Sequence, residues 1–333
     1  MGAVTQQIVR RFVEVSRAPL ESAAWLEGEG LALETDVASA ARQPVSADLY
    51  YELLERCAAQ GDHGLPFRYG TAIRPEDFGA FGLAIKTART VGDALERLVR
   101  YILVITDTLE YQLVDEAGGR RFILAGRSSE QRRGIQIANE AALAAVWSIL
   151  RQVTVDSVVP ELVSFRHACP ADAGEHRRHF GCRVRFEAGI DALHLSEQVL
   201  ATQTRLGDEG LSAFLLSQLD ELHAQRAERS LVAGVRRAVT DALCDGVPRK
   251  GRIARQLGMS ERTLQRHLAE GGRSFQALVD EVRREVAEQL LVTTTHSLSE
   301  VAFLTGFSEQ SAFQRAFKRW TGRTPLAFRG VAG

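Results

Sequence analysis

The sequence predicts an α+β N-terminal domain followed by an all-α C-terminal domain with two helix-turn-helix motifs, and three observations predict it. Apolar periodicity switches between helical and strand-like over residues 1–230 and is helical alone from 231 onward. A Gly-apolar-Ser-Glu turn occurs twice, as Gly258-Met259-Ser260-Glu261 and Gly306-Phe307-Ser308-Glu309, at an offset of 48 residues. Charge is divided as well: residues 231–333 hold 16 Lys and Arg against 10 Asp and Glu, net +6, and residues 1–230 hold 25 against 32, net -7, in a chain of net -1. A basic third attached to an acidic remainder suits a polyanionic partner for the basic part.

From the N-terminus, Ile8, Phe12 and Val15 recur at helical spacing. A second helix follows in "SADLYYELLERCAAQ", where Ser46 can cap and Leu49, Leu53 and Cys57 share a face. A third runs through Leu95, Leu98 and Ile102. "LEYQLVDEAGGRRFILAG" then reads as a β-hairpin turning at Glu116-Ala117-Gly118-Gly119. The next segment, "IQIANEAALAAVWSILRQV", is apolar nearly all round, which predicts a helix buried against that sheet. Short strands are expected at "ELVSFRH", "CRVRFEA" and "ALHLS", giving a mostly antiparallel sheet. The glycines of "GAFGLAIKTA" lack nucleotide-loop spacing and are expected to let a strand and a helix pack closely.

"DEGLSAFLLSQLDELHAQRAE" places Leu211, Leu215, Leu219 and Leu222 on one stripe. The ordinary reading is a helix docked on its own domain; the narrow stripe also fits a dimer seam, and a solvated linker helix is the third option. The expected division is therefore 1–208, an effector-binding domain; 209–230, an amphipathic linker or dimerisation helix; and 231–333, the helical domain. Within the last, helices are expected at 231–244, 249–257, 261–270, 274–292, 298–305, 309–320 and near 326.

At 333 residues, with 45% hydrophobic and 25% charged residues, the chain has the composition of a globular protein of two domains. No secretory h-region opens it and no run of about 18 apolar residues could span a bilayer, so a cytoplasmic protein without a membrane partner is expected. The four cysteines are scattered, as reduced thiols are; Cys57, Cys169 and Cys244 are expected to pack as small apolar residues. Cys182 belongs to a cluster with Cys169, His176 and His179 in "HACPADAGEHRRHFGC", whose side chains are zinc-ligand types. Its Cys-x6-His-x2-His-x2-Cys spacing is uncommon for zinc, and packing is the favoured reading. Asp62-His63 sits in a glycine-rich turn and reads as structural. Nucleophile elbows, phosphate loops and zinc-protease helices are missing from the sequence, so no catalytic residue, cofactor or metal is expected.

In each repeat a short helix ends at Gly, which accepts the left-handed conformation; an apolar residue pins the turn, and Ser caps the next helix. Ser297-Leu298-Ser299-Glu300 adds a capping box before the second copy, turning Leu298, Val301 and Ala302 inward. Leu264 and Leu268 in the first copy, and Phe313 and Phe317 in the second, are the expected core positions. Arg262, Gln265 and Arg266, and Gln310, Ser311, Gln314, Arg315, Lys318 and Arg319, are left outside. Arginine and glutamine match the edges of guanine and adenine, and basic residues near helix ends neutralise phosphates. "SFQALVDEVRREVAEQLL" supplies a spacer helix with Phe275, Leu278, Val279, Val282, Val286 and Leu290 on its apolar face.

With "IARQLGMSERTLQRHL", "EVAFLTGFSEQSAFQRAFKRWTG" and "TPLAFR", residues 232–330 resemble the DNA-binding domain of the AraC/XylS family of transcription regulators. The resemblance implies base contacts from Arg262, Arg266 and adjacent Gln265, and from Gln310, Gln314 and Arg315. Phe328 stands where the family often has tyrosine. "YYELLERCAAQGDHGLPFRYG", "DFGAFGLAIKTARTVGDALERLVRY" and "FGCRVRFEAGIDALHLSEQVL" resemble the N-terminal domain of the ornithine-utilisation regulator branch, distinct from cupin-bearing arabinose sensors. That implies effector binding and dimerisation. The expected function is a sequence-specific, ligand-responsive activator, not an enzyme. Its expected partners are promoter DNA, RNA polymerase, a small-molecule effector and a second copy as homodimer. A repressor, or a ligand-independent DNA-binding protein whose N-terminal domain only dimerises, is the alternative.

Overall fold

The computed structural model describes residues 2–33, 44–58, 62–126, 132–170, 172–243, 246 and 248–332. Contacts divide the chain into two compact units, Met1–His223 and Ala224–Gly333.

The first unit is α+β. Strand β1 (Ala3–Thr5) pairs antiparallel with β2 (Pro44–Ser46); helices α1 (Gln6–Val15) and α2 (Pro19–Gly28) lie between them in the chain, and α3 (Ala47–Ala58) and α4 (Leu65–Ala72) follow. Ser46 receives the Leu49 amide at 3.3 Å, as its capping role predicts, and α3 buries Leu53 fully, with Leu49 and Cys57 half-buried. "GAFGLAIKTA" is not a strand: it forms α5 (Gly79–Lys86), entered from a 3₁₀ turn at Pro75–Phe78. The expectation of close packing at glycine holds in a different setting. A Cβ on Gly82 would lie 1.6 Å from the Pro75 carbonyl oxygen, so the helix folds back on its own lead-in turn.

Thr90 and Asp93 exchange capping hydrogen bonds at 3.1 and 3.2 Å and start α6 (Val91–Tyr101). The hairpin β3 (Leu109–Glu116) and β4 (Gly119–Gly126) closes through Ala117-Gly118. Helix α7 (Arg133–Val153) carries Trp147 and Leu150 wholly buried, in line with its unbroken apolar sequence. After it come β5 (Leu162–Ser164), α8 (Gly174–Phe180), β6 (Arg183–Arg185), β7 (Asp191–Ser196) and α9 (Glu197–Ala201). The sheet order is β3-β4-β7-β5-β6, parallel between β5 and β6 and antiparallel elsewhere. The pair β1-β2 is the only other sheet among the described residues, so no second broad sheet makes a cupin-like sandwich.

Helix α10 (Glu209–Ala242) is one continuous 34-residue helix where the sequence suggested two, and the boundary between the units falls within it. Its leucine stripe divides: Leu215 and Leu219 are 6% and 0% exposed in the N-terminal core, whereas Leu211 and Leu222 are 43% and 42% exposed. Asp220 fastens the helix further, accepting from the Tyr101 hydroxyl at 2.7 Å and from Arg100 at 2.8 Å.

The second unit continues with α11 (Lys250–Gln256), α12 (Glu261–Glu270), α13 (Phe275–Thr293), α14 (Leu298–Leu304), α15 (Gln310–Thr321) and α16 (Pro325–Ala332). It has two small cores. Ile253, Leu264, Leu268, Leu278, Val279 and Val282 join Val235 and Val239 in one; Ala287, Leu291, Val301, Ala302, Phe313 and Phe317 form the other. Helix α13 contributes its first half to one core and its second half to the other.

Candidate functional site

The two helix-turn-helix turns are built alike. Gly258 and Gly306 have φ of +69° and +77°, a left-handed conformation that glycine alone adopts without cost. In both, the amide of the following apolar residue reaches back over the helix end: Met259 to the Ala254 oxygen, and Phe307 to the Ala302 oxygen, each at 2.9 Å. That is a Schellman closure, and it satisfies carbonyls that the helix terminus would otherwise leave open.

Entry into the second helix differs between copies. Ser260 caps α12 by accepting the Thr263 amide at 3.1 Å. Ser308 does not cap α15, contrary to the repeat alignment. The helix begins one residue later, with Glu309 at the cap position and no side-chain capping bond. Aromatic packing holds this entry instead, because Phe307 stands 5.8 Å from Phe313 and 6.0 Å from Trp320, ring centre to ring centre. The capping box of Ser297 and Glu300 is present at α14, with bonds of 3.2 and 2.7 Å.

Leu264, Leu268, Phe313 and Phe317 are all buried, which turns the opposite faces outward. Arg262, Gln265 and Arg266 are exposed on α12; Gln310, Ser311, Arg315, Lys318 and Arg319 are exposed on α15, and Gln314 is half-buried. Arg262, Arg315 and Lys318 make no ion pair or hydrogen bond among the described residues. Others are already engaged: Gln265 accepts from Lys250 at 3.0 Å, Arg266 pairs with Glu270 at 3.6 Å, and Arg319 with Asp280 at 3.7 Å. Lys250 was not singled out in the sequence, because its proximity to α12 depends on how the turn folds.

Arg283 is a second residue that sequence reading passed over. It is 7% exposed, donates to the Gly306 carbonyl at 2.8 Å and stacks 4.6 Å from the Phe307 ring centre. The signal was available: on the spacer helix it falls in phase with the apolar face, between Val279 and Val286.

In the first unit a cavity of about 70 Å³ is lined by Tyr50, Tyr51, Tyr69 and Tyr111, with Thr106, Thr108 and Asn139 as the other polar residues. Apolar side chains complete it, and no charged residue or histidine among the described residues lines it. Tyr51 bonds Thr108. The hydroxyls of Tyr50, Tyr69 and Tyr111 find no hydrogen-bond partner among the described residues. Burial pushes all three phenols above the usual tyrosine range, so they remain neutral donors. Six stretches of the chain meet here, from Val4 to Ile149, which is why no local motif revealed the cavity.

Cys169, His176, His179 and Cys182 do not form one site. Cys169 is exposed, against the expectation that it packs, because its side chain lies in the loop before α8. Cys182 is half-buried, with burial pushing its thiol up to about 11. His179 faces the Ala144 carbonyl at 3.1 Å and the Ser148 hydroxyl at 3.4 Å. Cys57 is half-buried and Cys244 lies outside the described residues. Asp62 is buried and holds Arg68 at 2.9 Å, a structural pair.

Two turn-matched helix-turn-helix units joined by a shared helix, carried with an α+β domain, define a DNA-binding transcription regulator. Residues 20–204 match the family described as the arabinose-binding domain of AraC transcription regulators, N-terminal, and residues 253–330 match a helix-turn-helix domain family. The chain belongs to the AraC family. Its relatives include the ornithine utilization regulator of Pseudomonas aeruginosa, 29% identical over 270 residues, covering 81% of this chain and 79% of that one. The HTH-type transcriptional regulator VirS of Mycobacterium tuberculosis is 27% identical over 260 residues, covering 77% and 75%. Among solved structures, the transcriptional regulator CdpR of Pseudomonas aeruginosa aligns with 90% of this chain and 100% of its own at 23% identity and a TM-score of 0.46. No described helix is long and apolar enough to cross a membrane.

Proposed function

We propose that this regulator reads two adjacent major-groove segments, one with each helix-turn-helix, and that a small effector bound in the tyrosine-lined cavity controls it. Base contacts come from Arg262, Gln265 and Arg266 on α12 and from Gln310, Ser311, Gln314 and Arg315 on α15. Lys318 and Arg319 neutralise phosphates. The observation that carries this reading is the pair of matched glycine turns, which turn arginine-and-glutamine faces outward on α12 and on α15, the two helices joined through α13.

In this reading residues 1–208 sense, 209–230 link or dimerise, and 231–333 bind DNA in the cytoplasm as a homodimer that activates RNA polymerase. The effector is uncharged and mainly apolar, with an acceptor group for the tyrosine hydroxyls. An amino acid such as ornithine would bring an ammonium and a carboxylate into a cavity that no charged residue lines among the described residues.

Footprinting of the protein on its own upstream DNA tests the first half. Two protected major-groove segments are expected, one lost with Arg266→Ala and the other with Arg315→Ala. Uniform weak protection, indifferent to both, would leave only a basic surface. Thermal unfolding tests the second half: cyclohexanone or octanol should raise the melting temperature and L-ornithine should not, since saturating a site at 100 times its Kd adds about 2.7 kcal/mol. No shift with any uncharged probe, together with unchanged footprints, favours the ligand-independent alternative.

A further inference from the structure

Outside the cavity, the first unit holds a cluster that the DNA-reading function does not use. Glu140 on α7, His167 in the loop after β5 and His176 on α8 bring their donor atoms within 4.8 Å of one another. Both histidine Nε2 atoms lie 2.9 Å from the same oxygen, Glu140 Oε1, and the three side chains are 2%, 6% and 1% exposed.

The hydrogen bonding makes this arrangement informative. His167 Nδ1 lies 2.9 Å from the Ala168 carbonyl oxygen. A carbonyl can only accept, so Nδ1 carries a proton, while Nε2 approaches Glu140 Oε1 to 2.9 Å without a well-directed hydrogen bond to it. If that ring is neutral, two acceptors crowd to 2.9 Å in a buried site, a contact that a shared cation relieves. His176 Nδ1 is buried without a partner, and its Nε2 hydrogen-bonds the same Glu140 Oε1 at 2.9 Å, so a proton moved from Nε2 to the unpartnered Nδ1 leaves the Nε2 lone pair free for an ion at that point.

We propose that Glu140, His167 and His176 form a buried site for one divalent transition-metal ion, zinc by preference. Two imidazoles and a carboxylate are a zinc donor set; at bond lengths of about 2.0–2.1 Å the donors stand about 3.3 Å apart, so each imidazole-to-carboxylate distance opens by only a few tenths of an ångström. A water or the second carboxylate oxygen completes the shell. The ion ties the loop after β5 and helix α8 to α7, the helix whose neighbouring Asn139 lines the tyrosine cavity. The competing occupant is a proton, with His167 as an imidazolium.

The test uses the full chain, stripped with chelator and then titrated with Zn²⁺ by calorimetry, with metal content measured after desalting. One zinc per chain is expected, bound at least tenfold more weakly after His167→Gln or His176→Gln and unchanged after Cys169→Ser or Cys182→Ser. Substitution with Co²⁺ in the unaltered protein keeps the test decisive if a histidine variant fails to fold. Ligand-field bands without a sulfur-to-cobalt charge-transfer band are expected. Absence of stoichiometric metal, thiolate bands, or binding abolished by the cysteine variants would each overturn the proposal, the first in favour of the proton.

Discussion

Arg283 joins the spacer helix to the second turn by one hydrogen bond and one ring contact, both in a buried setting. Arg283→Met retains much of the packing volume and abandons the Gly306 carbonyl. A loss of about 2 kcal/mol in urea unfolding is expected, the scale of a hydrogen bond to a charged group. His179 makes a different prediction. Burial, the largest cause, pushes its imidazole down to about 4 from the usual 6.5. The folded state therefore resists a proton that the unfolded state accepts. Stability is lost as the pH falls from about 6.5 to about 4, with no further loss from this group below that, and the total is at most about 3 kcal/mol. Unfolding curves across that interval should flatten in His179→Gln relative to the unaltered chain.

At the scale of elements, α10 separates two meanings of one stripe. Leu219 is wholly buried, so Leu219→Ala should cost about 2–5 kcal/mol in thermal unfolding; Leu222→Ala, largely exposed in the single chain, should change it little. If the helix also forms the seam between two copies, Leu222→Ala with Leu211→Ala should shift sedimentation toward the monomer while leaving the fold intact. The stripe was legible in the sequence because leucine spacing fixes a face. Which leucines meet the core was not legible, since that depends on where α6 and the sheet end. The same distinction holds at the two turns. Glycine and apolar anchors specified both closures, but Ser308 looked identical to Ser260 and does not cap, because aromatic packing at Phe307 sets the start of α15 instead. The exposed arginine-and-glutamine faces of α12 and α15 could be found because each lies on one helix opposite an aromatic or leucine core. Tyr50, Tyr69 and Tyr111, or Glu140, His167 and His176, could not, because each set is assembled from distant segments by the tertiary fold.

For the molecule as a whole, the division of charge predicts how binding responds to salt. Lys318→Ala should reduce the slope of log affinity against log salt by about one and weaken all DNA sequences alike, whereas Arg262→Ala should cost about 1–3 kcal/mol at particular base pairs and leave other sequences less affected. Equal losses on random DNA for both variants would overturn these roles. Helix α13, 19 residues or about 28 Å long, carries a separate core at each end and has no internal hinge among the described residues. It acts as a ruler with a fixed angular setting. Inserting one alanine near its middle should turn α15 by about 100° relative to α12 and abolish simultaneous engagement. If α12 and α15 read two operator elements as proposed, the genome faces the mirror constraint: adding a single base pair between those elements rotates one of them by about 35° around the duplex, so drift in spacing should be tolerated less than drift in the bases between them.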